Sequence, residues 1–301
     1  MIINFLDKIY SSLRVKDSKF QSLMRFSIRE ITNAIVPFFL KISRRKVKLN
    51  EEGQKIIVSL TTFPDRVDKV WIVIETMLRQ TLLPSKIILW LAEEQFPNKE
   101  KDLSKSLIYY LKNNLLEIKF LKDDLRSHKK YYYALQEYPD DIIITVDDDI
   151  FYSNNIVEDL VTLHKKYPAT LCSLRGHRVT KKNDKITKYK DWEKIFGFFG
   201  PTFEVFHTSG GGTLYKKDFF KDEVFNLEVI KKYCFFADDV WLNFMLQLAK
   251  TKTVKGEYFS NLIPIKNKGF KLSTQNVSDG ANDKQLHNLI SYYDVNEQEL
   301  F

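Results

Sequence analysis

The sequence feature that most constrains the fold is an apolar run that ends in three consecutive aspartates. Residues 140–151 read DDIIITVDDDIF. β-Branched residues favour the pleated conformation, and the run lacks the stripe of an amphipathic helix, so it predicts a buried strand. Because an unpaired carboxylate is very costly to desolvate, Asp147, Asp148 and Asp149 are expected where this strand ends, at the edge of a sheet.

The spacing of the aspartates is compatible with a metal site. Side chains alternate along an extended strand, so Asp147 and Asp149 are expected on the same side. Two such carboxylates would offer hard oxygen ligands to Mg²⁺ or Mn²⁺, most often shared with a phosphate group. A solvated acidic turn with a capping role explains the triplet equally well when it is taken alone. The rest of the chain has to decide between the two interpretations.

Short apolar segments and helical segments alternate on either side of this run. Strands are predicted at 56–60, 86–91, 117–121 and 170–175, with the aspartate run as the fourth of the five. Helices are predicted at 67–80, 103–113, 129–137, 156–167, 239–250 and 284–293, and residues 176–206 are expected to be irregular. Single helices between strands indicate an α/β fold with a mostly parallel sheet. Ligands of such sheets bind outside the carboxyl ends of the strands, which favours a functional site at the triplet.

Composition narrows the class of protein. The chain has 301 residues, 44% of them hydrophobic, so one large domain with appendages is expected. A net charge of +8 suggests an anionic partner. Two cysteines imply no disulfide framework and fit a reducing cytosol. The first residues lack the pattern of a secretory leader, and no run of apolar residues approaches the length of a membrane span.

Residues 1–50 differ from the rest of the chain and are predicted as a separate helical, basic segment. Apolar residues recur at helical spacing in 20–35, and a basic cluster follows at 43–48. This combination would suit peripheral contact with the inner face of an anionic membrane. A helical appendage packed on the main domain, with a solvated basic tail, is the alternative. Residues 49–53 are predicted as the linker to the domain at 51–301.

Two further features suggest that an anion binds near the triplet. The basic loop at 127–130 enters a predicted helix, and a helix N-terminus beside Lys129 and Lys130 would form an anion site. Arg66, after the first strand, is a further candidate at the same edge. If these side chains face the metal, the metal and the basic side chains would bind the same diphosphate. An ordinary solvated charge pair is the alternative.

Downstream of the triplet, a glycine loop and an acidic pair complete the set of candidates. Gly210, Gly211 and Gly212 would allow a ligand close to the backbone, although a tight turn between strands also explains them. Asp238 and Asp239 precede a predicted helix, where an acid is also an ordinary cap. A metal-bound diphosphate, a basic loop and a separate carboxylate base describe displacement at a sugar carbon.

These stretches, in this order, resemble glycosyltransferases of the GT-A fold, and among them a family-2-like bacterial group that makes surface or capsule polysaccharides. The resemblance spans about residues 55–300. It rests on the segments SLTTFPDR at 59–66, QTLLP at 80–84, KKY at 129–131, YPDDIIITVDDDI at 138–150, GGGTLY at 210–215 and ADDVW at 237–241.

The resemblance implies a Rossmann-like mixed sheet flanked by helices, a UDP-sugar donor, Mn²⁺ or Mg²⁺, and inversion at the anomeric carbon. It gives the metal to Asp147 and Asp149 in a DxD role and the base to Asp239, with Asp238 beside it. The nucleotide-sugar would contact Thr61, Phe63, Arg66, Lys129, Lys130, Asp147, Asp148, Gly211 and Gly212. The acceptor would be a saccharide or a lipid-linked glycan, and the enzyme would be cytoplasmic or peripheral on the inner membrane. The late acids after the second strand, at 93–94, depart from the family pattern and leave the base of the nucleotide open.

Two other functions are compatible with parts of the sequence. A nucleotidyltransferase that makes sugar nucleotides also uses acids on a parallel sheet. It usually needs a glycine-rich loop directly after the first strand, where residues 61–64 read TTFP. A binding module for anionic surfaces would explain the charge but not the acids at the end of a buried strand. Beyond residue 50 the lysines are scattered among acids, so no nucleic-acid partner is expected.

Overall fold

The fold is described by a computed structural model that covers residues 2–13, 18–44, 47–50, 52–257, 262–267 and 280–301. The α-helices in these ranges are α1 (Ile2–Ser12), α2 (Lys19–Ile42), α3 (Pro64–Val67), α4 (Val70–Met77), α5 (Lys105–Lys112), α6 (Lys129–Glu137), α7 (Ile156–Lys166), α8 (Leu227–Tyr233), α9 (Asp238–Ala249) and α10 (Ala281–Tyr293). The strands are β1 (Ile56–Thr61), β2 (Lys86–Ala92), β3 (Glu117–Leu121), β4 (Ile142–Thr145), β5 (Ile150–Phe151), β6 (Leu171–Ser173), β7 (Gly176–Arg178), β8 (Lys181–Lys182), β9 (Lys185–Ile186), β10 (Glu193–Lys194), β11 (Phe199–Thr202), β12 (Val205–His207), β13 (Thr213–Tyr215), β14 (Thr253–Lys255) and β15 (Ile263–Pro264).

Eight of these strands form one large mixed sheet in the order β11-β14-β6-β13-β4-β1-β2-β3. Strands β4, β1, β2 and β3 are parallel neighbours, and β6 is parallel to β14. Strand β13 is antiparallel to both β4 and β6, and β11 is antiparallel to β14. Six strands therefore run one way and two the other, which confirms the predicted α/β fold with a mostly parallel, mixed sheet.

The centre of the sheet is buried because its strands are apolar along their whole length. Every residue of β4 is buried, as is every residue of β2 after Lys86. Helix α6 packs against β1 and β4, and α7 packs against β6 and β13. Continuous apolar strands are typical of parallel sheets covered by helices.

The helix predicted over 67–80 is wrong as one element, because it begins earlier and is interrupted. Pro64 occupies the first turn of α3, where its fixed φ is compatible with a helix start. Helix α3 ends at Val67, and α4 begins at Val70. The chain thus turns directly after β1, which brings Arg66 back over the end of that strand.

The stretch 176–206 is not irregular as expected but contains short strands. Strands β10, β7 and β12 form a small antiparallel sheet, β8 pairs with β9, and β11 joins the edge of the large sheet. These strands have two to four residues each. That length is too short for alternation of apolar and polar residues to be recognised in a sequence.

The N-terminal helices pack on the main domain. Ile3 of α1 and Val36 and Leu40 of α2 are fully buried and belong to the same hydrophobic core as the sheet. After α2, the Arg44 guanidinium donates to Ser106 Oγ at 3.0 Å and lies over the ring of Tyr109. Of the predicted basic cluster and linker, residues 45, 46 and 51 lie outside the described residues. Among the helices that the structure describes, none has the length and hydropathy needed to cross a membrane.

Candidate active site

The sheet brings four chain segments to one edge. Strand β4 pairs in register with β1 and β13, so that Thr145 lies opposite both Ser59 and Thr213. The residues after Thr145 therefore meet the residues after β1 and the loop before β13. The carboxyl end of β6 reaches the same edge, because Ser173 lies opposite Thr213. The aspartate triplet, Arg66, the glycine loop and Arg175 all follow or precede these strand ends.

Asp148 points into the protein and is bound there. The Thr62 hydroxyl donates to Asp148 Oδ2 at 2.6 Å, and Arg66 Nη1 donates to Asp148 Oδ1 at 2.7 Å. The side chain is 7% exposed, and burial raises the pKa of Asp148 even though Arg66 opposes this. Both carboxylate oxygens thus hold the loop after β1 against the end of β4.

Asp147 and Asp149 are the more accessible members of the triplet, with side chains 41% and 28% exposed. The Asp147 carboxylate accepts from Lys130 Nζ at 2.7 Å, and Asp149 Oδ2 lies 2.9 Å from Arg66 Nη1. Burial, opposed by Arg66 and reinforced by the charges of Asp147 and Asp148, raises the pKa of Asp149 to about 7. The alternation expected along an extended strand is not found, because residues 148 and 149 form a turn and Arg66 Nη1 contacts both Asp148 and Asp149, whereas Asp147 pairs with Lys130.

Tyr152 connects the triplet to the glycine loop. Its hydroxyl accepts from the backbone N–H of Asp147 at 2.8 Å and donates to the carbonyl of Gly210. The side chain is fully buried, with 1% exposure. This pair of hydrogen bonds fixes the distance between the acidic turn and the loop before β13.

Lys130 is a buried cation between two carboxylates. Its side chain is 4% exposed, with Nζ 2.7 Å from Asp147 Oδ1 and 3.1 Å from Asp238 Oδ2. Burial would lower the pKa of Lys130, but Asp147, Asp238 and Asp239 hold it well above its ordinary value. Lys130 therefore stays charged and joins the triplet to the acidic pair at the start of α9.

Lys129, in contrast, points away from the triplet. It forms an ion pair with Asp124, its side chain is 3% exposed, and burial lowers its pKa. Adjacent residues of a helix are rotated by about 100°, so the two lysines reach different surroundings. The expected joint anion site of Lys129 and Lys130 at the triplet is not the arrangement found.

The glycines of the loop make room for neighbouring side chains. A Cβ at Gly210 would lie 1.7 Å from Asp147 Oδ2, and a Cβ at Gly211 would lie 2.3 Å from Arg175 Cβ. Gly212 has φ +94°, which disfavours residues with a side chain. The loop backbone therefore lies close to the side chains of Asp147 and Arg175. Contact of Gly211 and Gly212 with a donor stays a prediction.

The acidic pair at the start of α9 contains two carboxylates in opposite states. Asp238 accepts from Ser209 Oγ at 3.0 Å and pairs with Lys130, and this cation outweighs the effect of burial and lowers the pKa of Asp238 to about 2. Asp239 is half-buried and accepts from the Ser209 N–H at 2.7 Å. Burial and the charge of Asp238 raise the pKa of Asp239 to about 7. This difference in pKa indicates that Asp238 is an ionised structural acid and that Asp239 is suited to accept a proton.

The donor set of the triplet fits a divalent cation only if other ligands contribute. Among the described residues, no group of three or more His, Cys, Asp or Glu side chains is arranged to hold a metal ion. Asp147 and Asp149 supply two accessible carboxylates. Mg²⁺ is commonly bound by one or two carboxylates together with water and substrate phosphates. These two residues are therefore suited to an ion that arrives with a phosphate ligand.

Most of the residues predicted from the sequence come together at this edge, whereas the side chains of Thr61 and Lys129 bind elsewhere. The Thr61 hydroxyl donates to the carbonyl of Trp90 at 2.8 Å, and Lys129 binds Asp124. Phe63 is half-buried, and the Arg66 guanidinium lies over the Phe63 ring, 5.0 Å from the ring centre. The sequence analysis missed Thr62, Tyr152 and Ser209. Only their positions next to predicted site residues pointed to them.

Comparison with known proteins gives little independent guidance. No family model matches the chain, and no curated protein matches it. Solved structures do match, and one is the crystal structure of apo UDP-glucose pyrophosphorylase. That likeness has a TM-score of 0.39 and 10% sequence identity, over 81% of this chain and 99% of that chain. A likeness at this level carries no argument about function, which is therefore argued from the site itself.

Proposed function

We propose that the protein is a metal-dependent, inverting glycosyltransferase that moves a sugar from a nucleotide-sugar donor, a UDP-sugar, to a saccharide or lipid-linked glycan acceptor. The observation that carries the proposal is the sheet edge that brings together Asp147 and Asp149 of the triplet and Asp239, whose neighbour Asp238 is joined to Asp147 through the buried Lys130. The first two carboxylates suit a metal-bound diphosphate. The third has a pKa near neutrality and suits a base.

The roles of the individual residues follow from their charges. A divalent cation held by Asp147 and Asp149 would supply charge neutralisation for the departing diphosphate. Lys130 and Arg66 lie beside those carboxylates and would bind the anion from the protein side. Asp239, ionised above its raised pKa, would take the proton of the attacking acceptor hydroxyl. Single displacement with a base opposite the leaving group inverts the anomeric carbon.

Nucleotide-sugar synthesis is the competing function, and the reaction products distinguish the two. Thermal-shift measurements with UDP-sugars, with and without Mn²⁺, would identify the donor through metal-dependent stabilisation. Turnover of that donor with candidate acceptors should then release UDP. Release or consumption of pyrophosphate would instead identify a nucleotidyltransferase and contradict the proposal.

Substitutions test the two parts of the site separately. Asp149→Ala should remove the stabilisation by Mn²⁺ and donor together, because it takes away a metal ligand. Asp239→Asn should leave donor binding intact and lower transfer by about 100- to 10,000-fold, the usual contribution of a general base. Asp140→Asn is the matched control, since Asp140 is exposed before the opposite end of β4. Normal turnover in either site variant would contradict the assignment.

A further inference from the structure

The outward side of α2 is apolar, which is unusual for a helix on a protein surface. Nine of the fourteen large apolar side chains that are exposed among the described residues lie between residues 2 and 42. On α2 they form a row, called here the outer face, that consists of Phe20, Leu23, Phe26, Ile31, Ile35, Phe38 and Ile42. Phe20 is 69% exposed and Phe38 is 66% exposed, and Phe5 of α1 adds a further side chain that is 65% exposed.

The inward side of α2 packs on the core of the protein. Thr32, Val36 and Leu40, spaced by four residues, are fully buried against the protein. At about 100° per residue, the outer face lies away from this buried row, with Phe26 at its flank. A helix that packs on a core normally turns polar residues outward. Contiguous exposed apolar surface of this kind marks an interaction site.

The charge of the chain is concentrated around the same helices. Residues 1–50 contain 11 Lys and Arg against three Asp and Glu, a net charge of +8. This equals the net charge of the whole chain, so residues 51–301 are neutral overall. Lys19 and Lys41, near the two ends of α2, are exposed. An apolar row within a strongly positive segment is complementary to a surface that is apolar inside and negative at its rim.

We propose that the outer face docks α1 and α2 on an anionic lipid bilayer, with the helices lying along the interface. Helix α2 has 24 residues and is therefore about 36 Å long. Phenylalanine and aliphatic side chains would enter the headgroup boundary while lysines contact lipid phosphates. A second copy of the chain is a less suitable partner, because a symmetric contact would bring two segments of +8 together.

Docking at this face would hold the candidate active site close to the membrane surface. Asn33 of α2 donates to the carbonyl of Pro264 at 3.0 Å and accepts from the N–H of Lys266 at 2.7 Å. Between them, the Ile265 N–H donates to the carbonyl of Asp149 at 2.6 Å. The Ser153 hydroxyl donates to Asp7 of α1 at 2.7 Å. Both helices are thus hydrogen-bonded to segments that flank the triplet.

Flotation of the full chain with liposomes tests the proposal without reference to activity. The protein should float with vesicles of phosphatidylcholine mixed with phosphatidylglycerol, and much less with phosphatidylcholine alone. Phe20→Ser/Phe38→Ser should weaken binding about 100-fold, because two large apolar contacts are lost. Lys19→Glu/Lys41→Glu should weaken binding to the anionic vesicles about tenfold or more. Phe196→Ser/Phe198→Ser is the matched control on another exposed pair and should float like the wild type.

Sedimentation velocity of the same proteins separates a bilayer from a second copy. The proposal expects the wild type to sediment as a monomer without lipid, and the Phe20→Ser/Phe38→Ser variant to do the same. A dimer that the serine variant dissociates, with no flotation on anionic vesicles, would overturn it. Equal flotation of the wild type and the serine variant would also overturn it. Neither result bears on glycosyl transfer, which is measured separately on soluble acceptors.

Discussion

At the scale of single residues, Gly210 leaves no room for a side chain beside Asp147. A Cβ there would lie 1.7 Å from Asp147 Oδ2, and Gly210 does not have the positive φ that would itself demand glycine. Gly210→Ala should therefore act by displacing the carboxylate. We expect affinity for Mn²⁺ in the presence of donor to fall about 10- to 100-fold, as for other losses of ligand support. Thermal-shift titration measures this.

Gly256→Ala is the control for that substitution. Its Cβ would meet Leu174 Cδ2 at 3.2 Å, Leu163 Cδ2 at 3.4 Å and the Ser173 carbonyl oxygen at an ordinary 3.9 Å, and its φ is likewise ordinary. Metal affinity in this variant should match the wild type. If Gly210→Ala bound Mn²⁺ and donor with unchanged affinity, Asp147 would not be a metal ligand.

The pH dependence of the reaction tests the role of Asp239. Since its pKa is raised to about 7 and a base must be ionised, kcat/KM should fall as pH decreases below about 7 and level off above it. Asp238→Asn removes the neighbouring negative charge that raises this pKa. The acid limb of the profile should then move to lower pH. A limb that stays in place in Asp238→Asn would assign the titration to another group.

The residues that could be predicted from the sequence are those whose role depends on local spacing. Local spacing predicted three acids after the β4 run, and they lie there, but a turn at 148–149 replaces the expected alternation and Arg66 binds both Asp148 and Asp149. Tyr152 and Ser209 could not be found in this way. Their contacts join segments about 60 and 30 residues apart, and only the order of the strands brings these together.

At the scale of elements, α6 connects the two halves of the site through Lys130. Lys130→Met should destabilise the protein by about 3 kcal/mol, because it leaves Asp238 without its buried cation. The same variant should lose donor binding. Urea unfolding followed by circular dichroism measures the stability. Lys165→Met on α7 is the control, since Lys165 is exposed, and it should change stability little. A similarly small change in stability for Lys130→Met would show that the ion pair between Lys130 and Asp238 does not hold α6 to α9.

The sheet illustrates what periodicity can and cannot reveal about elements. Strands β1, β2 and β4 were predicted because each is an apolar run between helical segments, and β3 was predicted with them although Glu117 and Lys119 interrupt its apolar residues. Strand β13 was not, although it occupies the position between β4 and β6. It has three residues and follows a glycine loop, so neither its length nor its alternation distinguishes it from a turn. Its reversed direction is what brings that loop to the carboxyl ends of the parallel strands.

At the scale of the whole molecule, four of the five histidines are buried, and burial lowers the pKa values of three of them, His128, His177 and His207, far below the ordinary value. His128 lies 2.9 Å from both the Tyr131 hydroxyl and the carbonyl of Cys234, and His207 lies 2.8 Å from the Tyr215 hydroxyl. Burial lowers the pKa of His128 to about 4 and those of His177 and His207 to about 3. The folded protein therefore keeps all three neutral well below the pH at which an unfolded histidine takes up a proton.

This difference predicts how acid unfolds the chain. Each lowered pKa contributes stability that is fully present above about 6.5, the unfolded value, and is lost as pH falls towards 4. Each of these histidines should add about 1.4 kcal/mol per pH unit to the loss of unfolding free energy in that range. His207→Gln should reduce the slope of unfolding free energy against pH by about 1.4 kcal/mol per pH unit, whatever its effect on stability at neutral pH. Exposed His287→Gln should leave the slope unchanged. Urea unfolding at a series of pH values gives both slopes, and equal slopes for the wild type and His207→Gln would show that His207 is protonated in the folded protein.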